Sequence, residues 1–99
     1  MVRNESRYQG AEAFLARKSF NRSNIISDGC TIYSYGSHFP MARHTAEGTI
    51  LVNEDRYSRT TSKHQSALWG TLGMHGYKPT DEVADVHDEY RFRVWARMP

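Results

Sequence analysis

Ser23-Asn-Ile-Ile-Ser-Asp-Gly-Cys-Thr-Ile-Tyr-Ser-Tyr35 is the stretch whose reading decides the fold. Two short runs of branched and aromatic residues flank Asp28-Gly29, a dipeptide suited to the tight turn of a β-hairpin. The segment predicts two antiparallel strands, one around Ile25-Ile26 and one over residues 30–35. Working outward, Gly36-Ser37 is a second turn, and residues 38–43 read as a strand entered through Pro40. Proline donates nothing to a ladder, so that strand is expected at a sheet edge or after a bulge. Glu47-Gly48 turns again into a short strand over residues 49–53.

Over residues 62–72 the apolar period changes to that of a helix, with Ala67, Leu68, Thr71 and Leu72 on one stripe. Thr60, Thr61 or Ser62 would cap it, and Gly73-Met-His-Gly76 would end it. Acidic residues 81–89 read as one or two helical turns capped by Thr80. Residues 90–97 alternate with period two, placing Tyr90, Phe92, Val94 and Ala96 inward and Arg91, Arg93, Trp95 and Arg97 outward. Toward the N-terminus, residues 11–18 are strong helix formers that must dock through Phe14 and Leu15. Residues 21–24 break that helix, and residues 1–10 read as a flexible arm. The expectation is a single α+β domain spanning residues 1–99, a small antiparallel sheet of four to five strands with two helices on one face.

The totals agree with a small folded unit. The chain has 99 residues, 38% hydrophobic and 12% aromatic, so the core is modest and large rings supply much of it. Pairing with a second copy or another partner would add stability. The net charge of +2 is unevenly spread, with ten Lys/Arg against six Asp/Glu up to residue 79 and three against five beyond it. A mildly basic body is compatible with nucleic acid without demanding it. A lone cysteine, Cys30, excludes an internal disulfide and a cysteine-based zinc site. No run is long and apolar enough to span a membrane, and a cytoplasmic setting is expected, with no membrane partner.

Candidate chemistry concentrates in Tyr57-Ser-Arg59-Thr60-Thr61-Ser62-Lys63-His64-Gln65. Free amides at a helix start, several hydroxyls and the cations Arg59 and Lys63 would converge where an anion such as a phosphate binds. The plainer reading is that the hydroxyls cap the helix and the cations face water; capping needs only one of those hydroxyls, which leaves room for a ligand as well. A second polar group, Tyr33, Tyr35 and His38, would wall the same site if strand and helix pack together. His38 and His64 could then act as base and acid on a phosphodiester without a metal. The outward face Arg91, Arg93, Trp95, Arg97 is a further candidate for tracking a nucleic-acid backbone, with Trp95 to stack a base. The histidines lack the i, i+4 spacing of a helical metal pair, and only His87 with Asp85, Asp88 and Glu89 could collect a cation. No metal or cofactor is expected.

Over residues 31–68 the chain resembles a small domain of unknown function carried by phages and other mobile elements. The resemblance rests on Tyr33-Ser-Tyr35-Gly-Ser-His38-Phe-Pro-Met-Ala42, Leu51-Val-Asn53, Asp55-Arg-Tyr57-Ser58 and Thr60-Thr-Ser-Lys-His64-Gln65. It implies a phage-like setting in a bacterial host and joint action of the two polar segments, and it supplies no activity. The leading expectation is a non-enzymatic accessory protein that binds nucleic acid or a host protein through residues 57–65. The alternatives are a metal-independent phosphodiesterase using His38 and His64, and an inhibitor of a host protein whose acidic residues 81–89 imitate a phosphate backbone.

Overall fold

The hairpin expected around Asp28-Gly29 is present, formed by β2 (Ile25–Asp28) and β3 (Thr31–Ser34) with Ser27 opposite Ile32. Asp28 Oδ1 accepts the amides of Cys30 and Thr31 at 2.9 and 2.8 Å, and Gly29 takes φ +92°. The computed structural model describes residues 5–35, 39–55, 58–84 and 90–97. Among these it contains two helices and one antiparallel sheet of seven strands, more than the four to five expected.

The additional strands come from segments read otherwise. Residues 19–22, next to the expected helix break, form β1 (Ser19–Arg22), an edge strand paired with β2. Ser23 and Asn24 both adopt left-handed φ, 55° and 66°, giving the two-residue turn whose twist matches a hairpin. The start of the acidic segment is also strand. β6 (Tyr77–Ala84) forms the opposite edge, where Pro79 costs no internal ladder bond and acidic side chains face water. Thr80 stitches an irregular stretch of β6 instead of capping a helix, donating to the Val94 carbonyl and accepting the Glu82 amide. Residues 85–89, including His87, lie outside the described residues.

β4 (Phe39–His44) is interior, between β3 and β5 (Ile50–Asn53), so Pro40 does not mark an edge. The alternative holds: the β3–β4 register shifts beside it, between Ile32 and Tyr33. β7 (Phe92–Arg97) inserts between β5 and β6, completing the order β1-β2-β3-β4-β5-β7-β6. The expected facing of β7 is reversed along its middle. Trp95 and Arg93 stand opposite Ile50 and Val52, both fully buried under the helices, and Trp95 lies 6.5 Å from the ring of Trp69. Val94 instead sits opposite Leu51 on the other face of the sheet.

Helix α1 spans Glu5–Leu15, so residues 5–10 are helical where an arm was expected. Its close approach to the sheet depends on Gly10, where an added Cβ would lie 2.8 Å from Ile25 Cγ2. Arg17, at φ 59°, ends it: the Arg17 amide bonds the Phe14 carbonyl and the Lys18 amide bonds that of Ala13. Helix α2 spans Arg59–Met74 and buries the expected stripe of Ala67, Leu68, Thr71 and Leu72. Gly76, at φ 89°, follows its C-cap. The helices share one core with the sheet. Ala11, Phe14, Leu68 and Leu72 pack on Ile25, Ile32, Ala42, Ile50 and Val52. His44 fastens the end of α1 to β4, its Nε2 2.7 Å from the Phe14 carbonyl and its ring stacked on that of Phe14.

Candidate functional site

The polar stretch after β5 divides into a locked side and an open side. On the locked side Ser58 is the N-cap of α2, in place of the later hydroxyls expected there, and its Oγ accepts the Thr61 amide at 3.1 Å. Thr61 is fully buried. Its Oγ1 lies 3.0 Å from Ser34 Oγ, which in turn lies 2.8 Å from His64 Nδ1. Gln65 is also buried and donates to the carbonyls of Asn53 and Asp55. Asn53 continues the chain of bonds, donating to the Pro40 carbonyl and accepting the Asp55 amide. These bonds fix the start of α2 to the ends of β3, β4 and β5. A buried polar group left without a partner costs about 1–3 kcal/mol, which is why Thr61 and Gln65 serve the fold.

The open side faces α1. A cleft of about 350 Å³ is lined by Ser6, Arg7, Ser23, Ile25, Thr60, Lys63 and His64. A second cleft, of about 250 Å³, lies against Arg7, Tyr8, Ser62, Lys63, Ser66 and Ala67. Arg7 and Lys63 therefore stand between the two. Arg7 and Lys63 line the same clefts near both helix starts, and Glu12 meets His75 near both helix ends, so α1 and α2 run side by side in the same direction. Parallel helices gather their positive dipole ends at one place. Acidic side chains usually offset such an end; α1 begins with Glu5, whereas the first turn of α2 has no acid and begins with Arg59. No carboxylate is among the described residues lining either cleft.

Two side chains at this end carry buried polar groups. Arg7 Nε is buried with no hydrogen-bond partner among the described residues. His64 is only 8% exposed, and Ser34 engages its Nδ1 while the ring lines the larger cleft. Burial, and secondarily the charge of Arg7, holds the His64 pKa below the usual histidine value, so the ring is neutral at pH 7. The arrangement offers two fixed cations, one neutral imidazole and three hydroxyls to an anion with several acceptor oxygens.

The remaining candidates are dispersed. Thr60 and Lys63 reach the larger cleft, Ser62 lines the smaller, and Arg59 is exposed on α2 outside both. Tyr57 and His38 lie outside the described residues. Tyr33 stands opposite Ile26, on the side of β3 away from the buried Ile32 and Ser34, and does not line the cleft; Tyr35 is half-buried at φ 60° just past β3. Arg93 pairs with Glu54 and donates to the Thr80 carbonyl, and Arg97 donates to the His75 carbonyl and lies over Tyr77. Arg91 is exposed, with its amide on Asp55 Oδ2. No group of three or more His, Cys, Asp or Glu is placed to hold a metal among the described residues.

Sequence reading missed Ser6, Arg7, Tyr8, Ser23 and Ser34. A signal for Arg7 was present: it lies four and seven residues before Ala11 and Phe14, on the stripe that docks α1. Extending that stripe back one turn places a cation at the rim of the core. A family model described as a family of unknown function (DUF8033) matches residues 5–85, so the matched span takes in α1 and the whole of the polar stretch. Neither the curated proteins nor the solved structures yield a match.

Proposed function

We propose that this chain, which belongs to that family of unknown function, binds nucleic acid by its phosphate backbone at the paired helix starts. One observation carries the reading: Arg7 and Lys63 converge, without a carboxylate among the described lining residues, where two helix dipoles point the same way. Stability alone opposes placing Arg59 in the first turn of α2, and an anionic ligand supplies the compensation. In this reading Thr60 and His64 add hydrogen bonds to a phosphate, and Arg59 extends the basic surface. The motif resemblance over residues 31–68 supports an accessory role in a phage or mobile element.

The test is fluorescence anisotropy of a labelled oligonucleotide across a salt series, comparing wild type with Arg7→Ala/Lys63→Ala. Two lost phosphate contacts should weaken binding at every sequence and flatten the log–log salt slope by about two. Unchanged affinity in the double variant would refute the reading. Capture of a nuclease-resistant host protein in place of oligonucleotide would favour inhibition instead.

A second reading has its own support. A neutral, buried His64 with one nitrogen fixed by Ser34 is chemically suited to act as a general base at the cleft. Cleavage of a phosphodiester by wild type, abolished in both His38→Ala and His64→Ala, would establish it.

A further inference from the structure

Two clefts share the Arg7–Lys63 pair, and they differ in chemistry. The larger offers hydroxyls and the His64 ring, whereas the smaller offers the Tyr8 ring, Ala67 and two serines. Tyr8 is a large apolar side chain left 47% exposed, and the Arg7 guanidinium lies 5.7 Å from its ring centre. An exposed aromatic beside a cation that also faces a polar cleft is the pairing used to hold one nucleotide of an unpaired strand. The cation takes the backbone and the ring takes the base. Among the described residues of this cleft, Ala67, Ser62 and Ser66 contribute only small side chains beside Tyr8.

We infer that the ligand is single-stranded nucleic acid, with a phosphate in the His64 cleft and the adjoining base stacked on Tyr8. This rests on the phosphate-binding reading above and adds strand type to it. A duplex keeps its bases stacked inside, and bringing one to Tyr8 requires unstacking that costs a few kcal/mol. The paired form is therefore limited to the cation contacts, while the unpaired strand uses both clefts.

The experiment compares three fluorescein-labelled probes of equal length at one salt concentration: oligothymidylate, the same strand paired with oligoadenylate, and a strand abasic at its central positions. Proteins are wild type, Tyr8→Ala and Tyr8→Phe. Wild type should prefer the unpaired strand over the duplex by about tenfold or more, in line with the stacking of one base on an aromatic ring. Tyr8→Ala should remove that preference, Tyr8→Phe should retain it, and the abasic strand should bind wild type as weakly as the duplex does. Equal binding of duplex and single strand by wild type, or an unchanged ratio in Tyr8→Ala, would overturn the inference and leave backbone binding standing. Failure of all three probes to bind would remove both. Circular dichroism of Tyr8→Ala, matched to wild type, separates loss of the ring from loss of α1.

Discussion

The two ends of the parallel helix pair are built from similar parts and treat charge in opposite ways. At the C-terminal end a cleft of about 160 Å³ is lined by Glu12, Leu15, Ala16, His75, Tyr77 and Arg97. The polar side chains there are tied together: His75 Nε2 lies 2.9 Å from Glu12 Oε1, and Arg97 donates to the His75 carbonyl while its guanidinium lies 5.4 Å from the Tyr77 ring. A cation on the last carbonyls also suits the negative end of the dipole. At the N-terminal end Arg7 and Lys63 face clefts with no carboxylate among the described lining residues. The difference teaches that one pair of helices can tie its polar side chains together at one end and line open clefts with them at the other.

Reversing one charge tests this contrast most strongly. Lys63→Glu should weaken oligonucleotide binding by about tenfold or more, since a hydrogen bond to a charged group contributes about 1.5–3 kcal/mol. The same change should leave stability within about 0.5 kcal/mol of wild type, because Lys63 is exposed and lies past the first turn of α2. Anisotropy and urea midpoints read the two effects separately. A destabilised Lys63→Glu with intact binding would make the lysine structural.

Ser34→Ala addresses the locked side. It removes the group joining Thr61 and His64, and should cost about 1–3 kcal/mol of stability by urea unfolding. Acid should act on the same region. His44 and His64 both have pKa values lowered by burial, so the unfolded chain takes up protons that the folded one resists. Their stabilising effect is complete above the unfolded value of about 6.5 and declines as pH falls below it toward the lowered folded values. The urea midpoint should drop across that range, and less steeply in His44→Gln. A flat profile in wild type would show that neither ring is held neutral by the fold.

The smallest effect belongs to the compensated end. Glu12 and His75 side chains are 52% and 39% exposed, so Glu12→Gln should change stability by no more than about 0.5 kcal/mol. It should leave oligonucleotide affinity unaltered. A marked loss of binding in Glu12→Gln would erase the distinction between the two ends.

Much of the local architecture was readable in the chain. Asp28-Gly29 marked its hairpin because side-chain capping and a left-handed glycine act within four residues. The stripe from Ala67 to Leu72 marked the buried face of α2 through its own period. Misreadings occurred where distant contacts overruled local preference. Residues 5–10 looked like an arm because they are polar with a single aromatic, yet they are helical, and Gly10 lets that helix close on Ile25. Acidic residues 81–84 looked helical, but pairing with β7 makes them strand. Trp95 was turned outward by alternation alone, while the depth beneath Trp69 and the partner Ile50 turn it inward.

The sequence by itself determined an α+β domain with antiparallel hairpins, the burying face of α2 and a central polar stretch rich in hydrogen-bonding side chains. Those properties follow from backbone preferences and side-chain periods set by neighbouring residues. Tertiary structure alone decided which of those donors are spent on the fold and which remain. It buried Thr61 and Gln65 against β3, β4 and β5 and brought Arg7 from the other end of the chain to Lys63 and His64. The reason is physical: a group's availability depends on what fills its remaining hydrogen bonds, and those partners lie on strands and helices that only packing brings together.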